Sequence, residues 1–307
     1  MMKKRYPLDP EDPALTQKIE AALLEALEPV QPSTQQRSKI RAQLFQRIHA
    51  SVTTESQRIT IRSEQGHWRK IRSGIRAKIL DKSNRAFLLD IEPGASLPMH
   101  RHHADEECVV LRGSASLGIL TVNTGDYHLA RSGSRHGQIS SQTGALLYLR
   151  GIPVGHSTEV ARDLLTAFLP GEGDELITIR AHEGQWLDLA PGVASKPLYE
   201  DGHTCSSLVR ISADTRWTTQ QQLLSHDEEC LLLEGDAFFG DTLLRPGDWQ
   251  FAPTGSDYRP ITTDTGVLFF MRGTHRRQSP DPRLVKTSMM LMPLRTIRSS
   301  GVTRYRL

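Results

Sequence analysis

The feature that most limits this chain is a sequence that occurs twice within it. Glu106-Glu-Cys-Val-Val-Leu-Arg-Gly113 returns as Glu228-Glu-Cys-Leu-Leu-Leu-Glu-Gly235, 122 residues later. Gly125-Asp126 and Gly133 return at the same offset as Gly247-Asp248 and Gly255. Earlier in each copy Trp68 and Gly74 correspond to Trp186 and Gly192, 118 residues apart, and Ile91 corresponds to Ile211, 120 apart. So small a drift is what loop insertions between equivalent strands produce, so the chain holds two copies of one unit. Short runs such as Ile59-Thr-Ile61, Ala77-Lys-Ile-Leu80, Arg85 to Ile91, Cys108 to Leu111 and Ala145 to Leu149 are bounded by Gly, Pro, Asn and Asp. That spacing predicts a β-sandwich or barrel, not alternating strand and helix. Two similar sheets can share a face, which favours a compact pair.

One stretch carries chemistry. On an extended strand residues i and i+2 share a face, so His100 and His102 can enter one cavity while His103 points away. Glu106 opens the apolar run where the chain can cross that cavity again, and His136 can arrive from a neighbouring strand after the turn-rich Gly125 to Arg135. Three imidazoles and one carboxylate suit zinc, iron, manganese, nickel or copper better than calcium. A polar surface turn is the alternative, weakened by the returning stretch that ends at His136. Arg131, Arg135, Tyr127, His128, Glu92 and His103 are candidates for the groups around the ligands, and no general base is assigned. In the second copy the equivalents of His100, His102 and His136 are Gln222, Leu224 and Tyr258, and only Glu228 persists. Leucine cannot ligate, so one metal per chain is expected; His226 could substitute only if the register slipped by two. Trp217, Phe238, Phe239, Trp249 and Phe251 would line a pocket in that copy or form its core. Asp126 and Asp248 are expected to hold turns. Cys108 faces the same way as Glu106, but Cys230 has the same placement in the other copy, so both read as small core residues.

The remaining sequence sets the surroundings. Hydrophobic residues make up 37% and no apolar run approaches the length needed to span a bilayer. The basic start Met1-Met-Lys-Lys-Arg has no apolar stretch after it, and Cys108, Cys205 and Cys230 are too few for a disulfide framework. A cytoplasmic protein without membrane contact is expected. The net charge of +3 is weak evidence for nucleic acid. Residues 276 to 307, however, hold eight Lys or Arg against one Asp. Leu15, Ile19, Leu23 and Leu27 predict a helix over residues 14 to 28, ended by Pro29 and Pro32. Ser33 and Gln36 predict a capping box for a second helix reaching Ile48, with an apolar stripe of Ile40, Leu44, Phe45 and Ile48. That pair could pack on the body, bind a partner or form a homodimer contact. A short helix over Glu159 to Leu169 precedes a boundary at Pro170 to Gly173. The expected organisation is a helical segment over 1–50, a metal-binding barrel over 51–156, a linker over 157–177, a second barrel over 178–275 and a basic tail over 276–307.

The two motif stretches resemble those of the cupin superfamily. Gly94, His100, His102, Glu106 and Gly113 match its first motif without a gap, and Gly125, Gly133 and His136 match the second. Arg131 stands where proline is common and Ser140 where asparagine is common. The resemblance implies a mainly β fold of two tandem cupin barrels (double-stranded β-helix, jelly roll) after a short N-terminal helical segment. It also implies His100, His102, Glu106 and His136 as ligands, with Glu107 facing away. His-x-His, three residues and Glu-Glu, set after the Trp68-x5-Gly74 opening, is similar to the cupin domains of ChrR-type anti-sigma factors. The similarity covers residues 66–150 well and 184–272 more loosely. It implies one divalent transition metal, zinc or iron, in a regulatory or stress-sensing protein whose partner is a sigma factor or another regulatory protein. The chain departs from that family in having no cysteine before Cys108 and only His49 before His67, so the family's N-terminal zinc site does not form here. Related cupins include iron(II)-dependent dioxygenases that cleave a carbon–carbon bond in a small diketone or aromatic ketone, with the small molecule held in the barrel. The residues leave enzyme and regulator both open.

Overall fold

The Ser33 amide donates to Gln36 Oε1 at 2.8 Å and the Gln36 amide to Ser33 Oγ at 3.2 Å, the expected capping box. The helix it opens, Thr34–Glu55, runs past Ile48 because neither Gly nor Pro interrupts the next turns. The computed structural model describes residues 17–18, 32–55, 57–81, 86–98, 100–151, 176–218, 223–274 and 303–305. Of the helix expected over residues 14 to 28, Gln17 and Lys18 are described and are helical. The expected helix over Glu159 to Leu169 and most of the basic tail lie outside the described residues. Met1–Ala50 and Ser51–Leu307 are separate compact units. Among the described residues no helix is long and apolar enough to cross a membrane.

The second unit is built of antiparallel strands in which the duplication is visible. Ala86–Ile91, Ala145–Arg150, Glu106–Leu117 and Tyr127–Ala130 are successive neighbours in one sheet. Thr204–Ile211, Val267–Thr274, Asp227–Gly235 and Trp249–Ala252 repeat the same order in another. Both copies carry a bulge at the same place, one register shift falling between Leu146 and Leu147 and the other between Leu232 and Glu234.

Each sheet is completed by a strand from the other repeat. Ile59–Ile61 leads into the first barrel but pairs with Trp249–Ala252 of the second. Leu176–Ile179 leads into the second but pairs with Tyr127–Ala130 of the first, and Thr303–Tyr305 of the tail adds outside it. Lys78 and Lys196 anchor the turns after the exchanged strands. The Lys78 ammonium donates to the Arg62 and Ser63 carbonyls at 3.0 and 2.7 Å, and that of Lys196 to the Ala181 and Glu183 carbonyls at 2.9 Å. Burial lowers the pKa of both lysines, against the pull of nearby carboxylates.

Three apolar clusters result. One fills the first barrel, with Phe87, Cys108, Val110 and Leu147. A second fills the other barrel, with Trp217, Cys230, Phe239 and Phe269. The third lies between the barrels and joins Leu88, Val109, Tyr127 and Tyr148 to Leu231, Trp249, Phe251 and Phe270. Strands shared by two clusters are buried on both faces, so Ala86–Ile91 is apolar or buried throughout. This corrects one expectation: Trp249 and Phe251 pack between the barrels and do not line the second one, and Phe238 is exposed.

Candidate metal centre

Two short strands bring the first and last histidines of the motif together. His100–Arg101 pairs antiparallel with Arg135–His136, with His136 directly opposite His100. The ladder continues to His102, whose amide donates to the Ser134 carbonyl at 2.9 Å and whose carbonyl accepts from Gly133 at 2.8 Å. His102 and Glu106 are buried, at 4% and 3% exposure, and His102 Nδ1 lies 3.1 Å from Glu106 Oε2. An imidazole and a carboxylate so placed fit a cation, since each is a metal donor and the carboxylate's charge complements it. The side chains of His100 and His136 are outside those described. Among the described residues no group of three or more His, Cys, Asp or Glu side chains is gathered as a metal site.

The candidates for groups around the ligands fall into different places. His128 is buried opposite Cys108, and its Nδ1 lies 2.9 Å from the hydroxyl of Thr178, which the exchanged strand supplies. Tyr127 turns to the contact between the barrels and donates to Glu107 at 3.0 Å. Arg131 binds Asp105 at 3.1 Å and stacks over Tyr199 of the second repeat. Glu92 and His103 are exposed, and the side chain of Arg135 is not described. Burial, and then Glu106 and Asp126, push the Cys108 thiol up from its ordinary pKa. Asp126 and Asp248 hold their turns as expected and also reach the exchanged strands.

The second copy reproduces the ladder without the histidine. The Leu224 amide donates to the Ser256 carbonyl at 2.9 Å and its carbonyl accepts from Gly255 at 2.8 Å, the bonds His102 makes in the first copy. Leu223 bridges Asp257 as Arg101 pairs with Arg135. The register therefore places Leu224 at the position of His102, and His226 does not move into it; His226 Nε2 is 3.9 Å from Glu228 Oε2. Glu228 faces a small pocket walled by Leu224, Phe239, Tyr258 and Ile261, with Arg58 and Arg259 at its edge.

Burial pushes the Glu228 carboxyl up from 4.5 to about 7, opposed by Arg58. A carboxyl whose folded pKa is raised contributes stability that is complete below the unfolded value and is lost as pH rises through the folded one. The shift corresponds to about 3 kcal/mol, which screening reduces to about 2 kcal/mol. Glu228→Gln should therefore gain about 2 kcal/mol on the wild type between about pH 4 and about pH 8, measured by urea unfolding at each pH. A difference independent of pH would show that the carboxyl is not held up.

Arg150 and Arg272 do not stand out in the sequence, and Glu107 reads there only as a residue facing away. The available signal was that a second glutamate follows the first in both copies, Glu107 and Glu229, although only one copy has histidines.

Known proteins place this arrangement. No curated protein matches the chain in sequence. A protein of Nostoc punctiforme described as a candidate dioxygenase is similar in structure, with a TM-score of 0.56 and 18% identity over 73% of this chain and 85% of that one. A variant of Bacillus subtilis oxalate decarboxylase gives a TM-score of 0.50 and 15% identity over 72% and 78% of the two chains. Lactobacillus farciminis oxalate decarboxylase in complex with formate gives 0.50 and 14% over 72% and 87%. At these identities the likeness is one of fold. The ChrR Cupin-like domain model matches residues 56–154 and again residues 174–276, and with both repeats so matched the chain belongs to that family as a tandem cupin.

Proposed function

We propose that the first barrel holds one divalent transition metal, zinc or iron, on His100, His102, Glu106 and His136, and that the chain is a metal-bearing regulatory bicupin that responds to oxidative stress. The observation that carries this is the contrast on one ladder: His102 is buried 3.1 Å from Glu106, and the second copy puts Leu224 in the same hydrogen bonds. The ion would supply a Lewis-acidic centre. The chain's own residues would bury it and supply its donors. Membership of the ChrR Cupin-like family supports the regulatory reading. Its partner is then a sigma factor or another regulatory protein, for which the exposed Ile40, Leu44, Phe45 and Ile48 offer an apolar contact.

Metal-loaded protein treated with peroxide or singlet oxygen should release its ion or change its spectrum, and it should consume no oxygen when given a diketone or aromatic ketone. Sustained oxygen uptake that disappears in His102→Ala would overturn the regulatory reading in favour of an iron(II)-dependent dioxygenase.

A further inference from the structure

Glu106 and Glu107 are neighbours on one strand and face opposite ways. Glu106 shares the side of Cys108 in the first barrel, and Glu107 shares the side of Val109 between the barrels. Glu107 is 3% exposed. Its carboxylate accepts hydrogen bonds from the Tyr127 hydroxyl at 3.0 Å, the Ser206 hydroxyl at 2.5 Å and Arg272 Nε at 2.5 Å. Ser206 and Arg272 come from the second barrel. In return Arg150 of the first barrel donates to Glu229 of the second at 3.0 Å, joined by the Tyr148 hydroxyl at 3.1 Å. Each arginine is the cross-strand neighbour of the glutamate in its own barrel, yet each hydrogen-bonds the glutamate of the other. Arg272 also lies 3.7 Å from Glu229, which joins the four charges into one buried, neutral group. Burial opposes the charge of Arg272, but Glu107 and Glu229 outweigh it and hold the guanidinium above its usual pKa.

We propose that Arg272, contributed by the barrel without a metal, is a positioning residue for the metal site of the other barrel, acting through Glu107 on Glu106. This rests on the metal site proposed above. Consecutive Cα atoms are joined by a rigid peptide, so a strand that shifts to move Glu107 carries Glu106 with it. A buried carboxylate deprived of its guanidinium is left as an uncompensated charge, which strongly destabilises its place on the strand. Metal ligands tolerate displacements of only about 0.5 Å, and removing a group that supports them weakens binding by roughly 10- to 100-fold. Arg150 is a built-in comparison. It pairs with a buried glutamate at the equivalent position, though its own side chain is 18% exposed against 7% for Arg272, and the carboxylate it holds, Glu229, stands behind Glu228, beside which Leu224 replaces the histidine.

The test is the affinity of the full chain for zinc and for iron(II), by chelator competition, read beside thermal unfolding. Arg272→Met should weaken binding about 10-fold, and Arg150→Met should change it by less than about 2-fold for a similar loss of Tm. Adding Glu107→Gln to Arg272→Met should restore affinity, because the neutral amide needs no counter-ion. Equal weakening by both arginine variants, no weakening by Arg272→Met, or no rescue by Glu107→Gln would overturn the proposal. Should Arg272→Met fail to fold, Arg272→Gln, which also removes the charge but keeps a polar end, carries the same expectations. Wild-type protein that binds neither metal, or binding that survives His102→Ala, would instead overturn the metal site itself.

Discussion

Asp126→Ala is expected to lower the stability of the full chain by about 4 kcal/mol, since one buried carboxylate satisfies three donors. Asp126 is 3% exposed and accepts from the Asn123 amide at 2.9 Å, which closes its own turn. It also accepts from the Ala181 amide at 2.8 Å and pairs with Arg180 at 2.9 Å, just beyond the exchanged strand Leu176–Ile179. Asp248 repeats the arrangement with the Arg245 and Ser63 amides at 3.0 and 2.7 Å and with Arg62 at 3.0 Å. Alanine leaves the Asn123 and Ala181 amides without their acceptor and the partly buried Arg180 without its counter-charge, and it frees the end of a strand that belongs to the other repeat. Urea unfolding should show the loss, and hydrogen exchange should show Leu176–Ile179 opening before the rest of its sheet. A loss below about 1 kcal/mol would mean that the strand exchange is held by apolar contact alone.

Gly113→Ala should cost about as much, about 4 kcal/mol, for a steric reason. Gly113 has φ +75°, and an added Cβ would lie 2.0 Å from the Gly144 carbonyl oxygen. Gly144 directly precedes the paired strand Ala145–Arg150, so its backbone oxygen cannot retreat as a flexible side chain would. Gly235 repeats the constraint at φ +72° and 1.9 Å from the Gly266 oxygen. Gly94 separates strain from collision, because it has φ +80° with nothing within 4 Å of the added atom. Gly94→Ala should therefore cost only about 1 kcal/mol and leave metal binding intact. Similar losses for Gly94→Ala and Gly113→Ala would show that conformational strain alone is at work.

The sequence revealed the duplication because its repeated residues answer to local physics. Gly113 and Gly235 are fixed by a close backbone approach, and Asp126 and Asp248 by their turns. The loss of the histidine in the second copy was equally readable, since Leu224 takes the register position of His102 and has no atom that can bind a metal. Which sheet a strand joins was not readable. Ile59–Ile61 and Leu176–Ile179 have ordinary strand sequences, and their pairing with the opposite repeat is decided by long-range packing. Strands buried on both faces also hid which core each residue serves. Tyr127, Trp249 and Phe251 alternate as barrel residues do, and only the packing of the two barrels assigns them to the layer between. Glu107 points out of its barrel as expected, but into a second barrel and not into water, which a single repeat cannot disclose.

One metal per chain, in the first barrel, is tested most directly by elemental analysis joined to an anomalous-scattering map of full-length protein purified without added metal. The expected result is one transition-metal ion per chain and a single peak about 2.1 Å from a nitrogen of His102 and an oxygen of Glu106. No peak is expected at Glu228, and the ion should be absent from His102→Ala. Two ions per chain, a peak at Glu228, or an ion retained in full by His102→Ala would contradict it.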